Sequence, residues 1–221
     1  LNHAGHTDGA NTYAWTVGVP DKKANDCFIK LTDVNNTAHT FTSAAFTIAP
    51  RITNVTVFPA AAETGSNPII WRADATGQRV DWTDTSAQVS SVDIRLSTTG
   101  VGGFPGTLVA TKTSTVNGVN SATDLVVPAT LTTNAIIRVQ DSSASFVYGD
   151  SPTFRVLGKL GIVAFPGDNV LVGNTATPIK WSKTGLAPGG GDYSVEITVD
   201  YNDNLFQADA ILKFLRRIEP K

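Results

Sequence analysis

Apolar and polar side chains alternate over short runs along this chain. Val92-Asp93-Ile94-Arg95-Leu96 and Val195-Glu196-Ile197-Thr198-Val199 are the clearest runs. Val55-Thr56-Val57-Phe58, Ile137-Arg138-Val139 and Phe154-Arg155-Val156 are shorter ones. A period of two sends successive side chains to opposite faces, so each run reads as a half-buried strand rich in β-branched residues. Glycine and proline clusters at 100–103 and 188–191 punctuate the runs. Many short strands separated by such turns predict an all-β fold of packed antiparallel sheets. The last stretch breaks the period. Leu205, Ala208, Ile211, Leu212, Leu215 and Ile218 fall at helical spacing, with Asn204 placed to cap the start and Lys213, Arg216 and Arg217 near the end. This predicts a short C-terminal helix or an amphipathic tail.

The pattern also repeats. Pro20, Asp33, Ser43 and Phe46 recur as Pro128, Asp141, Ser151 and Phe154, a shift of 108 residues, and Ile29-Lys30-Leu31 aligns with Ile137-Arg138-Val139. A second landmark, Asn54-Val55-Thr56-Val57-Phe58-Pro59 against Gly161-Ile162-Val163-Ala164-Phe165-Pro166, sets a shift of 107. That period suits one sandwich of about 100 residues. The chain then divides into the second half of one repeat (residues 1–50), a complete repeat (51–157) and the first half of another (158–221). Its ends are out of phase with its own units, which points to a longer parent protein. Strand parity puts Cys27, Ile29 and Leu31 on a core face, where a thiol acts as a small hydrophobe.

Composition narrows the class. Charged residues are only 16%, the formal net charge is −2, and 41% hydrophobic content is enough for a packed core. No basic run interleaves with aromatics, which argues against nucleic acid as a partner. No apolar stretch approaches the roughly 20 residues of a membrane span. One cysteine closes no internal disulfide, and there is no methionine. Low charge with abundant Thr and Ser resembles the composition of extracellular bacterial β-proteins.

Candidate chemistry is sparse. His3, His6 and Asp8 could gather round a metal, although the segment is rich in glycine. Asp200, Asn202 and Asp203 carry the hard oxygens that calcium prefers, yet Asp and Asn are also turn formers where a hairpin is expected. Asn35 and Asn54 begin Asn-x-Thr sequons for glycosylation. Trp71 and Trp82 compete to match Trp181, and an insertion near 67–80 would account for the surplus. Trp15 and Trp181 lie in alternating strands and are expected in a core, which leaves Trp71 as the candidate for stacking on a sugar. No nucleophile, zinc or phosphate-loop motif is present, so no catalytic residue is assigned.

The ordered segments "VDIRLSTTGVGGFPG", "LVVP", "AIIRVQD" and "SPTFRV" resemble immunoglobulin-like or fibronectin-like repeats of bacterial surface proteins, including surface-layer (S-layer) proteins and the spacer modules of secreted hydrolases. The first piece matches in Tyr13 to Val17, Phe28 to Leu31, Ser43 and Phe46, and the third in Phe165 to Asp168 and Ile179 to Trp181. The resemblance implies tandem immunoglobulin-like antiparallel sandwiches in a structural, non-enzymatic segment at the surface of a bacterial or archaeal cell. Its partners would be neighbouring repeats, further copies of itself and cell-envelope glycans. No cofactor is implied, calcium being the one candidate. The alternatives are an adhesin or carbohydrate-binding module, and accessory domains of a secreted hydrolase.

Overall fold

The computed structural model describes residues 9–16, 22–59, 65, 67–164, 179–187, 191–192, 194–197, 200–201 and 204–205. Within them the regular secondary structure is β-strand apart from one 3-10 turn at Val101–Gly103. The strands run β1 (Ala24–Cys27), β2 (Lys30–Thr32), β3 (Thr40–Thr42), β4 (Phe46–Ile48), β5 (Ile52–Phe58), β6 (Ile70–Arg72), β7 (Gln78–Asp84), β8 (Ser91–Ser97) and β9 (Thr107–Thr113). They continue with β10 (Val119–Leu125), β11 (Thr132–Asp141), β12 (Tyr148–Asp150), β13 (Phe154–Leu157), β14 (Leu160–Ala164), β15 (Lys180–Lys183), β16 (Asp200–Tyr201) and β17 (Asn204–Leu205).

β5 to β13 close one sandwich. One sheet has the order β10-β7-β5. The other has the order β6-β13-β11-β8-β9, with β12 also on β11. All neighbours are antiparallel except β6 with β13. This two-sheet Greek-key order is that of an immunoglobulin-like domain. The alternating runs supply its interior. Val92, Ile94 and Leu96 of β8 meet Ala135, Ile137 and Val139 of β11, and all six are buried. Val80 and Trp82 face them from β7. Their burial removes apolar surface from water at about 25 cal/mol per Å², the main term holding the two sheets together.

Two local features depart from simple alternation. In β5, Ile52 and Val55 both point inward although three residues apart. The extra residue is a bulge at Asn54, whose φ of 53° is left-handed, a conformation asparagine tolerates better than β-branched neighbours. The last strand of the sandwich is split into β12 and β13 by Ser151-Pro152-Thr153. Proline has no N–H for the ladder. Ser151 bridges the break: its N–H donates to the Ile137 carbonyl at 2.8 Å and its Oγ accepts the Ile137 N–H at 3.0 Å.

The same construction precedes the sandwich. Cys27 pairs with Phe46 and Ala24 with Ile48, as Ala135 pairs with Phe154 and Thr132 with Val156. Lys30, Leu31 and Thr32 face Thr42, Phe41 and Thr40, as Arg138, Val139 and Gln140 face Asp150, Gly149 and Tyr148. Every one of these positions recurs 108 residues later. The split strand recurs as well: Ser43 N–H donates to the Ile29 carbonyl at 2.9 Å, and Ser43 Oγ accepts the Ile29 N–H at 3.0 Å. So does the turn, where Asp33 bonds to His39 and His39 to Asn36 as Asp141 bonds to Val147 and Val147 to Ala144.

The opening hairpin is repeated after the sandwich. Ile52 and Thr53 face Asp84 and Thr83, and Leu160 and Gly161 face Lys183 and Ser182. Thr85 and Thr184 each close the hairpin on Arg51 and Lys159 by the same two bonds. The pairing sets the shift of the first strand at 108 and not the 107 of the Phe-Pro landmark, whose second copy, Phe165-Pro166, lies outside the described residues. The second strand shifts by 99, from Asp84 to Lys183. Trp82 is therefore the counterpart of Trp181. The nine surplus residues lie between β5 and β7, the interval that also holds Trp71 and β6.

The C-terminal expectation is corrected at its start. Asn204 is no helix cap, because Asn204–Leu205 forms β17 and pairs with Asp200–Tyr201. The remainder of the expected helix, 206–221, lies outside the described residues.

Candidate assembly interface

Trp71 is corrected first, because it was the one expected ligand-stacking residue. Its relative exposure is 0%. Its indole lies against Phe154 with ring centroids 4.9 Å apart, and its Nε1 donates to the Phe58 carbonyl at 2.6 Å. Strand β6 inserts it beside β13, so neither ring face is open to a sugar. Trp82 is equally buried: its Nε1 donates to Ser114 Oγ at 3.1 Å, and Ser114 in turn donates to the buried Asp84 carboxylate. The loop that follows β8 is also engaged with the sheet. The Arg138 guanidinium lies 3.9 Å from the Phe104 ring centroid and 3.8 Å from that of Tyr148, and it grips Asp150 through Nε at 2.7 Å and Nη2 at 2.8 Å. The Asp150 carboxylate raises the guanidinium pKa above its ordinary value. This stack fastens the loop to the outer sheet face.

The other sequence candidates scatter. Asn35 and Asn54 are both exposed, Asn35 in the turn after β2 and Asn54 at the β5 bulge. Asp200 contributes backbone pairing to a two-residue strand, while Asn202 and Asp203 lie outside the described residues, as do His3, His6 and Asp8. Among the described residues no group of three His, Cys, Asp or Glu side chains could hold a metal ion. No helix among them is long and apolar enough to cross a membrane.

The structure brings together two things that sequence reading did not single out. The first is a pair of junctions. Lys23, just before β1, donates its Nζ to the Gln88 carbonyl at 2.8 Å, to Ser143 Oγ at 2.7 Å and to the Asp141 carboxylate. Burial opposes ionisation of Asp141. The Lys23 ammonium and the Ser143 backbone and hydroxyl donors outweigh it and hold the carboxyl below its usual pKa. Beyond β13 the second junction is made by backbone. Leu131 N–H donates to the Leu186 carbonyl at 2.8 Å, and Leu186 N–H to the Ala129 carbonyl at 2.8 Å. Gly185, with φ of 91°, lets the loop press onto Leu131 and Ala73, where any Cβ would meet the Leu131 side chain. By the shifts above, Lys23 corresponds to Leu131, and Gln88 to Ala187 beside Leu186. Equivalent segments meet at both junctions.

The second is a pair of open sheet faces. Leu31 is 63% exposed and its counterpart Val139 is 0% exposed. Ile29 and Phe28 are likewise exposed where Ile137 and Ile136 are buried. Across the sandwich, Trp181 is 47% exposed where Trp82 is 1% exposed, and Leu160 and Val163 are exposed where Ile52 and Val55 are buried. The expectation of core burial for Trp15 and Trp181 is therefore corrected, since both are exposed. Cys27 is only half-buried, its thiol directed at the Ala24 carbonyl 3.9 Å away. The cause is common to all. Among the described residues β1 to β4 pair only with one another, and so do β14 and β15, so neither group has an opposing sheet.

Comparison with known proteins adds no relative: no protein family, no curated protein and no solved structure matches this chain.

Proposed function

We propose that this chain is a structural, non-catalytic segment of a cell-surface protein, working as a spacer built from tandem immunoglobulin-like units, of which 1–50, 51–157 and 158–221 are successive parts. The recurrence of one junction carries this reading. Lys23 meets the loop after β7, and the Thr130–Leu131 segment meets the equivalent loop at Leu186. A junction that uses equivalent segments adds each unit to the last by the same step, so the units extend along an axis and give reach. The contacts hold the two ends of β11 as well: Lys23 at Asp141, and Leu186 beside Thr130, which precedes the strand. A ten-residue strand spans about 30 Å, so the flanking groups stand at opposite ends of the sandwich. A self-assembling surface layer is the most specific version of this role. The adhesin alternative loses its motivating residue with the burial of Trp71.

Two measurements test the proposal. Small-angle X-ray scattering of the full chain should give an elongated particle, and protease treatment of intact source cells should release peptides from it. A compact particle, or protection of the chain until the cells are lysed, would overturn the spacer role.

A further inference from the structure

We propose that Asn117, in the connection from β9 to β10, is a site of spontaneous covalent modification: water converts its side-chain amide to a carboxylate through a ring closed on the Gly118 nitrogen.

Asn117-Gly118 is the one Asn-Gly step in the sequence. Asn117 is exposed, and its backbone is left-handed with φ of 57°. Its N–H donates to the Asp84 carbonyl at 3.1 Å. Among the described residues no hydrogen bond engages the Asn117 side chain or the Gly118 N–H. The glycine leaves that nitrogen unshielded. The fold does not ask for a glycine there: φ at 118 is outside the left-handed region, and a Cβ would meet only Thr115 Oγ1, at 3.8 Å. Two other asparagines serve as contrasts. Asn54 is also exposed and left-handed, but the next residue is the buried, β-branched Val55 within β5. Asn120 shares the connection, yet it is buried and its amide is engaged at both ends. Its Oδ1 accepts from the Thr115 N–H and hydroxyl, and its Nδ2 donates to the carbonyls of Thr115 and Gly118.

The reaction consumes only water. Hydroxide takes the Gly118 amide proton, and the nitrogen attacks the side-chain carbonyl carbon of Asn117. A C–N bond forms, the bond to the side-chain nitrogen breaks, and ammonia leaves with a proton returned by water. The product is a five-membered imide. Water then opens either of its two C–N bonds at a carbonyl. One opening gives an aspartate. The other gives an isoaspartate, whose main chain runs through the former side chain and is one methylene longer. Asparagine is among the thermolabile residues. No residue from 113 to 123 is charged, and the flanking Lys112 and Asp124 pair with each other. Asp84 turns its carbonyl to Asn117, while its buried carboxylate accepts from the Ser86 N–H and the Ser114 hydroxyl. The rate therefore follows hydroxide. The turn is fastened on both sides of the reacting bond, by the Asn117 N–H on Asp84 and by Asn120 on the Gly118 carbonyl at 3.3 Å. A backbone lengthened between them strains one of these contacts.

The test ages the full, folded chain at mildly acidic, neutral and mildly alkaline pH, with peptide mapping by mass spectrometry and enzymatic methylation to detect isoaspartate. Asn117 should convert ahead of Asn54 and Asn120, faster in proportion to hydroxide. Gly118→Ala should slow the conversion by about tenfold or more, because its Cβ crowds the attacking nitrogen. The space at 118 is open, so near-ultraviolet circular dichroism of this variant should match the native chain. Asn117→Asp carries the new charge without the longer backbone, so the purified isoaspartyl form should unfold at lower urea than that variant. An Asn117 that outlasts Asn54 or Asn120, a rate indifferent to pH, or equal rates in the native and Gly118→Ala chains would overturn the proposal. Equal urea midpoints for the isoaspartyl form and Asn117→Asp would overturn the strain assigned to the longer turn.

Discussion

The indole of Trp71 has lost its solvent on every side and keeps one polar contact, from Nε1 to the Phe58 carbonyl. Trp71→Ala should therefore be a folding mutation. It removes the ring packed against Phe154, and truncations of this size in a core cost about 3–5 kcal/mol. Urea unfolding should show the midpoint drop, and glycan binding, if any is measured for the native chain, should fall only with the folded fraction. At the first junction the expectation concerns pH. The folded carboxyl of Asp141 lies below its ordinary value of 3.8, so its bond to Lys23 contributes fully above that value and is lost as the pH falls through the lower, folded one. Hydrogen-exchange protection of the Ser143 amide should hold from about pH 7 to about pH 4 and decline below it, and Lys23→Met should move that decline toward ordinary acidity.

At the scale of the strand, the split closing strand offers an internal control. Ser43 and Ser151 make the same pair of bonds across the same break, but Ser151 is buried and Ile137 fully so, while Ile29 is exposed. Removing the hydroxyl leaves an N–H without its acceptor. Buried, that costs about 1–3 kcal/mol; exposed, water replaces the lost partner. Ser151→Ala should therefore lower stability by about that amount in denaturant titration, and Ser43→Ala should change it within error. Equal effects would mean that the first group of strands is covered in solution. Gly149→Ala is a second case, since its Cβ would strike the Ile52 carbonyl and the β5–β12 approach has to open. Overpacking of this kind costs about 1–3 kcal/mol, read as a fall in thermal midpoint.

At the scale of the whole molecule, a closed sandwich stands, among the described residues, between two groups of strands that have no opposing sheet. Alternation placed the strands of the sandwich, where Val92, Ile94 and Leu96 all reach the core, but not the equally clear Val195-Glu196-Ile197 run, which is in no strand; the repeated Asp and Ser landmarks mark turns and breaks that recur bond for bond. These features are local or periodic, and local chemistry specifies them. The surplus tryptophan was visible, but its partner was not. Trp71 is buried because β6 leaves the first hairpin and lies parallel to β13, a pairing between residues about 85 positions apart that no local pattern announces. The junctions were invisible for the same reason, since Lys23 reads as an ordinary surface cation until Asp141 is brought beside it. The open faces make the point most directly. Leu31 and Val139, or Trp181 and Trp82, stand in the same local pattern and differ only in whether a second sheet lies opposite. Period and alternation establish which side of each strand is apolar, because they depend on backbone geometry alone. Whether that side is buried is decided by tertiary packing, because burial belongs to a pair of sheets and not to a strand.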